Sequence, residues 1–430
     1  KSIKLTKRTE EYACLYLVNR QKVRNHKRYD ENFWNDWQEL MQPNERSVIQ
    51  SIEKCNFTRI ENYIQMNKLQ ETQRKKLKKM RKANEFCMVD GKREKIKNPM
   101  VEPPGVFVGE GDHPLNGKIK PRITPEMVTI NCSEGIEGKP PRGHTFKEVQ
   151  HDNTVLYLAF WHDPVLDKRK YIELSASSRQ KAQRDKRKYE VARNLHGEVV
   201  GVRDLYESDF HAEDVKLLQS SLALYLIDTF CLRPGYQKKT GFSAETKGCC
   251  TLSRSNIHLF RKAKTYCLKL EFMGKSSIPF EKEVEISKTV YEKLKKISEE
   301  KEDDDKIFDL VKAQSLNKYM KRLCESIEGV TLKTFRTYHA STVFEKELQN
   351  IKKDKRSQMV TEFNKALRIV ASLCNHTNVN TGKENYIDPR IIVAWCLKWN
   401  IPIRKIYKPL QQEKFQWAIK AKDPSFIFAN

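Results

Sequence analysis

The chain has 430 residues and a formal net charge of +25, from 81 Lys+Arg against 56 Asp+Glu. Its 38% hydrophobic and 32% charged residues supply two or three cores under a heavily charged surface, which excludes a wholly disordered chain. No apolar run approaches the roughly 18 residues of a membrane span, and the basic excess favours a polyanionic partner, nucleic acid foremost.

In chain order, residues 1–65 read as helices with aromatic anchors. Phe33, Trp34 and Trp37 fall at helical spacing and read as core. Residues 66–83 form a polar helix whose dense basic face (Arg74, Lys75, Lys76, Lys78, Lys79, Arg81, Lys82) is solvated, bridging or laid along DNA. Pro and Gly then cluster from Pro99 to Gly117, followed by β-rich runs at Val128–Ile130 and Val155–Trp161. Residues 98–178 are therefore a small mixed region of turns and strands. A second basic helix is predicted over 179–195, with helical pattern continuing to 232. A hairpin follows over 264–286, with its turn at Met273–Ser277. The remainder reads as helical, broken near 376–385. Eleven scattered cysteines include no CxxC, and only Cys249 and Cys250 are adjacent. That usage argues against a zinc site or a disulfide framework and fits free thiols in a reducing compartment. Lys1–Leu5 carry no signal-peptide core.

The most informative segment is Asn385-Tyr386-Ile387-Asp388-Pro389-Arg390, before the apolar run Ile391–Cys396. A tyrosine in a polar bend ahead of a packed helix is a phenol held rigidly at a surface. On so basic a chain its natural electrophile is a nucleic-acid phosphodiester, although most tyrosines in such places merely pack. Phosphoryl transfer to a phenol needs cationic donors for the equatorial oxygens and an acid for the leaving oxygen. Arginine serves because its planar fork binds two phosphate oxygens and stays charged. Four partners stand out: Arg233, where a helix is stopped by Pro234-Gly235; Arg336, near a helix start; His376, ending the apolar helix 369–374; and Lys275, in the hairpin turn. Each alone reads as readily as a cap or a surface ion pair. Gly274-Lys275-Ser276 mimics the end of a phosphate-binding loop, but that motif needs glycine where Lys269 stands and joins a strand to a helix. Nucleotide binding is rejected there, and no HExxH is present.

These residues resemble the eukaryotic type IB DNA topoisomerases over nearly the whole chain. Glu102–Phe107 with Gly111–Pro114 resembles the family's DNA-gripping lip. Leu232-Arg233 through Cys250, Phe272–Lys275, Phe335–Tyr338, Leu373–His376, Asn385–Arg390 and Gln412–Ala418 match its catalytic and tail segments in order. The resemblance implies an α+β, mainly α fold: a bilobed DNA clamp with a helical catalytic domain shared with tyrosine recombinases. It implies a helical cap region at 1–65, a mixed cap and lip region at 66–178, a catalytic core at 179–378 and a C-terminal domain at 379–430. Tyr386 would be the nucleophile, Arg233, Arg336 and His376 the transition-state donors, and Lys275 the general acid. Phe107, Gly109, His113, Lys120, Arg122, Lys238, Lys333, Thr381, Lys383 and Asn385 would touch DNA. The implied activity relaxes supercoils of either sign through a 3′-phosphotyrosine, without nucleotide, cofactor or required metal. The implied protein is a nuclear monomer on double-stranded DNA.

The chain departs from the family in three places. Only ten positions separate His376 from Tyr386, where the family places a long helical linker. Gly382 stands where serine is common before the tyrosine. Glu110 and Ser276 replace an Arg and an Asp that pair across the cleavage site and help hold camptothecin-type poisons, so a weak drug response is expected. A tyrosine recombinase and a non-catalytic DNA-binding protein are the alternatives, and covalent trapping on DNA separates the latter.

Overall fold

The computed structural model describes residues 3–23, 25–66, 69–109, 111–136, 138–236, 246–351 and 358–429. The chain divides into two compact units, one of Lys1–Lys181 and one that begins at Ala182 and runs to the C-terminus.

The first unit opens with α1 (Lys7–Arg20), α2 (His26–Leu40), α3 (Pro43–Val48), α4 (Thr58–Met66) and α5 (Leu69–Ala83). As expected, Phe33 and Trp37 are buried and Trp34 half-buried, packed with Tyr12, Tyr16 and Tyr29. Tyr16 stacks on Phe33 at 4.3 Å between centroids, and Trp37 Nε1 donates to Thr9 O at 3.0 Å. Buried Glu45 staples this bundle, accepting from Thr6 N at 2.6 Å, Gln42 N at 2.8 Å and Thr9 Oγ1 at 3.0 Å. Burial pushes its carboxyl up, but those donors hold it below the usual range.

Strands β1 (Phe86–Val89) and β2 (Lys92–Lys95) form a hairpin, and β3 (Gly105–Val106) pairs with β4 (Ile119–Lys120). β5 (Val128–Asn131), β6 (Glu148–Gln150), β7 (Tyr157–Asp163) and β8 (Lys168–Glu173) form a sheet in the order β6-β5-β7-β8. Only the β5–β6 pair is parallel. Val128, Ala159 and Trp161 make its small core.

The second basic helix, α6, runs from Arg179 to Ser208, one helix through the basic stretch and on into the helical pattern that follows it. Val199, Val202 and Tyr206 continue its buried stripe, and no Gly or Pro signal is strong enough to stop it. α7 (Val215–Phe230) is buried on nearly every face, as a central helix must be. The predicted hairpin forms as β10 (Thr265–Gly274) and β11 (Ile278–Ile286). β9 (Ile257–Lys262), which the sequence reading missed, adds a third antiparallel strand to β10. α8 (Lys288–Ser298), α9 (Ala313–Leu323), α10 (Thr334–Gln349) and α11 (Met359–Leu373) follow. The predicted break at 376–385 is corrected in part: Asn380–Asn385 forms the short helix α12, whose Gly382 allows close packing on Val370 of α11. α13 (Pro389–Lys398), α14 (Pro409–Lys414) and α15 (Gln416–Ala421) complete the chain. The fold is mainly helical with small sheets. Among the described residues no helix is long and apolar enough to cross a membrane.

Candidate active site

The site is organised by the C-terminus of α11. A helix end leaves its last carbonyls without intrahelical donors. Here Asn375 adopts the left-handed conformation at φ 51°, Asn375 N donates to Ser372 O at 3.2 Å and His376 N to Ala371 O at 2.8 Å. This is a Schellman turn with asparagine in the place glycine usually takes. It fixes His376 immediately after the helix. Lys282 Nζ, from β11, satisfies Leu373 O at 2.6 Å. Asn375 Nδ2 donates to Pro279 O at 3.1 Å, tying the turn to the hairpin.

That hairpin presents Lys275. Gly274 and Ile278 face each other across the ladder, leaving a three-residue loop in which Ser276 and Ser277 take φ 63° and 54°. Lys275 is exposed at the loop, and among the described residues its ammonium has no hydrogen bond or ion pair. A Cβ on Gly274 would press on Ile278 O at 3.2 Å and meet Asn375 Nδ2 at 3.7 Å. Glycine thus lets the hairpin approach the α11 turn.

Arg336 lies in the first turn of α10 and is 3% exposed. Its fork donates to Cys231 O, where α7 ends, and to Cys374 O at 2.9 Å. Its Nη2 also lies 3.1 Å from His376 Nε2. Since a guanidinium only donates, Nε2 is the acceptor and the neutral ring carries its proton on Nδ1. Burial, with Arg336 and Arg233 beside it, pushes His376 down to about 4, so it is neutral at pH 7. Both His376 Nδ1 and Arg336 Nε are buried without a partner among the described residues.

Tyr386 caps α12 and is held at its backbone. Its amide donates to Gly382 O at 2.9 Å. Ser341 Oγ, on α10, donates to Tyr386 O at 3.2 Å and accepts from Asp388 N at 3.0 Å. Asp388 N-caps α13, with Pro389 following in the first turn. The Tyr386 ring stacks on His376 at 5.4 Å between centroids, and the Arg336 guanidinium lies 4.9 Å from its centre. Burial raises the phenol, but Arg336 and Arg233 outweigh it, and the group lies below its ordinary value.

Arg233, Lys275, Arg336 and His376 line one cavity of about 260 Å³, together with Lys247, Cys374, Asn375 and Thr381. Tyr386 adjoins two of the four through its ring. The five residues singled out from sequence thus gather in one place. Arg233 is half-buried, with no side-chain partner among the described residues. Sequence reasoning missed Asn375, Lys282 and Ser341, which hold these groups in place. An asparagine just past an apolar helix was the available signal for the first.

The residues expected to touch DNA are placed unevenly. Thr381 lines the cavity and Asn385 is exposed beside Tyr386. Lys333 is exposed at the start of α10. Lys383 is 6% exposed and its ammonium donates to Ile406 O at 2.9 Å. In the first unit, Phe107 packs on His113 at 5.0 Å. His113 is buried and accepts from Leu115 N at 3.1 Å. Gly109 donates to Asn116 Oδ1 at 2.7 Å and has no room for a Cβ beside His113. Lys120 pairs with Glu102 at 2.5 Å and Arg122 with Glu11 at 2.8 Å. Lys238 and Glu110 lie outside the described residues. Among those residues no three His, Cys, Asp or Glu side chains gather as a metal site would.

Three family models match in succession. Residues 1–174 match the DNA binding fragment of eukaryotic DNA topoisomerase I, 177–387 its catalytic core, and 368–428 the C-terminal topoisomerase domain. A Caenorhabditis elegans protein named DNA topoisomerase 1 is 33% identical over 99% of this chain and 64% of its own length. A Rattus norvegicus protein named DNA topoisomerase I, mitochondrial, is 33% identical over 100% of the chain and 88% of its own length. A Homo sapiens DNA topoisomerase 1 is 32% identical over 100% and 68%. The chain thus spans under two thirds of the nematode relative. That alignment covers 521 positions against 430 residues here, so the relative carries insertions that this chain lacks.

Proposed function

From its membership of the eukaryotic DNA topoisomerase I family, we propose that this chain relaxes positive and negative DNA supercoils by cutting, turning and resealing one strand. Tyr386 Oη gives up its proton to solvent and attacks the phosphorus, the P–O bond to tyrosine forms and the P–O5′ bond breaks. Lys275 gives its proton to the departing O5′, and the phosphate stays on Tyr386 as a 3′-phosphotyrosine. The freed strand swivels, O5′ attacks back and Lys275 recovers its proton. The phosphodiester energy is held in the tyrosine link, so the cycle consumes no nucleotide, and fixed guanidiniums supply the positive field without a required metal. A positioned acid accelerates such a step by about 10²–10⁴-fold.

The observation that carries this reading is a pair of buried donors beside Tyr386 that lack acceptors among the described residues: Arg336 Nε and His376 Nδ1. A stranded buried donor costs about 1–3 kcal/mol, and the oxygens of a bound phosphate are acceptors of the kind both lack. The depressed phenol of Tyr386 points the same way. The reading includes a bilobed clamp with a recombinase-like catalytic domain, acting as a monomer on double-stranded DNA. It keeps the divisions 1–65, 66–178, 179–378 and 379–430, DNA contacts through Phe107, Gly109, His113, Lys120, Arg122, Lys238, Lys333, Thr381, Lys383 and Asn385, a nuclear location, and a weak camptothecin response.

Relaxation of a supercoiled plasmid with chelator and without nucleotide tests the activity. Covalent trapping on a nicked oligonucleotide should vanish in Tyr386→Phe. Trapping that survives this change would mean another nucleophile, and site-dependent exchange between two duplexes would favour a recombinase.

A further inference from the structure

The element that carries Tyr386 is too short to hold it alone. α12 has six residues and ends on Tyr386 as its cap, and a helix of that length has little stability of its own. The carbonyls of Glu384, Asn385 and Tyr386 fall in a row at this helix end, where intrahelical donors run out. Each accepts instead from a side chain of a different helix: Lys414 of α14, Lys188 of α6 and Ser341 of α10. Two of those three donors are ammoniums, and the cleavage cycle set out above uses neither.

Both lysines are aimed by their surroundings. Lys188 Nζ reaches Asn385 O, 197 residues away along the chain, at 3.2 Å. Asp185, one turn earlier on α6, takes the same ammonium at 2.7 Å, and the Tyr189 ring centre lies 4.1 Å from it. α14 grips Glu384 twice: Lys414 takes the carbonyl, and Gln411 Nε2 donates to the carboxylate at 2.5 Å. Lys414 is half-buried. An ammonium drawn out of water is costly unless it finds acceptors, and charged donors make the stronger hydrogen bonds. The cations that lower the phenol itself are Arg336 and Arg233, so the two lysines act on the chain that carries the ring.

We propose that Lys188 and Lys414 are positioning residues for the nucleophile: their ammoniums pin the two carbonyls ahead of Tyr386 and so set where its phenol stands against the phosphorus. This rests on the strand cleavage proposed above. Lys188 belongs to a basic helix, where a lysine that only met the DNA backbone would serve affinity; a lysine that pins the nucleophile serves rate. With both ammoniums gone the two carbonyls lose these donors and the end of α12 drifts. A misplacement of about 1 Å in a reacting group costs on the order of 10²-fold.

The test compares the full chain with Lys188→Met, Lys414→Met and the double variant in single-turnover cleavage of a trapping oligonucleotide, across oligonucleotide concentration and pH. In the double variant the plateau rate should fall by about 10²-fold, while the half-saturating concentration changes far less and the rising limb against pH stays where it was. Lys188→Arg keeps a charged donor and should recover most of the rate that Lys188→Met loses. Hydrogen exchange should quicken in the peptide holding Asn385–Ile387 of the Met variants and stay unchanged in α7. An unchanged plateau rate, a loss confined to half-saturation, a shifted pH limb or unaltered exchange would each overturn the proposal. Urea unfolding identifies any variant that has lost its fold, and in that event Lys188→Met alone decides by the same readings. If the parent forms no covalent complex with the oligonucleotide, the proposed function fails, while exchange at Asn385–Ile387 still shows whether the lysines pin that segment.

Discussion

Replacing Arg336 or Arg233 by alanine removes the same chemical group from the same cavity, yet the two changes should part company in stability. Arg336 is 3% exposed and donates to Cys231 O, Cys374 O and His376 Nε2. Without it two carbonyls at the ends of α7 and α11 lose their donor in the interior, each at about 1–3 kcal/mol. Arg336→Ala should therefore lower the unfolding free energy by about 2–5 kcal/mol. Arg233 has no side-chain partner to strand among the described residues, so Arg233→Ala should stay within about 0.5 kcal/mol of the parent. Each change removes one donor from the transition state and should slow cleavage by about 10²–10³-fold. Urea unfolding at an unchanged slope measures the first quantity, and single-turnover cleavage of a trapping oligonucleotide the second. Equal stability losses in the two variants would refute the division of labour between the arginines.

Four further outcomes follow from the same geometry. Arg233→Ala removes a cation that lowers the Tyr386 phenol, so the rising limb of cleavage rate against pH should move to higher pH; an unmoved limb would sever that link. His376 lies at about 4 in the folded chain against 6.5 when free. Between those values the unfolded chain binds the extra proton, so this residue's contribution makes stability fall as pH drops from 6.5 to 4, and His376→Gln should flatten the slope of unfolding free energy over that window. Asn375→Gly keeps the left-handed turn but loses the bond to Pro279 O; stability should change by about 1 kcal/mol or less while cleavage slows, and equal rates would show that the clamp does not position Lys275. Buried Asp228 takes bonds from Arg203 at 2.8 Å and Tyr206 at 2.9 Å and lies 2.6 Å from His339 Nε2. Asp228→Ala should destabilise by about 3 kcal/mol in denaturant titration, since it strands a partly buried cation.

How much of this was legible depended on how local its cause is. The Tyr386 segment could be read because Asp388-Pro389 is a short-range start signal and the apolar run after it has one packing solution. The hairpin was readable from Gly274 and its flanking alternation. β9 was not, because Ile257–Lys262 becomes a strand only by pairing with β10. The burial of Lys383 was hidden for a related reason. A lysine in a polar segment looks solvated, and what buries it is the Ile406 carbonyl, 23 residues along the chain. The meeting of the ends of α7 and α11 at Arg336 was invisible, since nothing in spacing tells that two helices end together.

The same hydrogen bonds that finish α11 also build the site. The carbonyls of Val370, Ala371, Ser372, Leu373 and Cys374 accept from Cys374 N, His376 N, Asn375 N, Lys282 Nζ and Arg336 Nη2 in turn. Three of those donors are backbone groups of the turn that holds His376, and the other two are cations from β11 and α10. Arg336 and His376 are therefore held in place by the fold itself, where the proposed reaction would develop negative charge and reorganisation would be costly. Lys275 differs in kind. It stands exposed on a loop of left-handed serines, with no partner among the described residues. In the proposed cycle, an acid that protonates a departing strand end must release it and meet it again after the strand has turned. Rigid donors and an exposed ammonium lining one cavity suit the proposed cut and resealing.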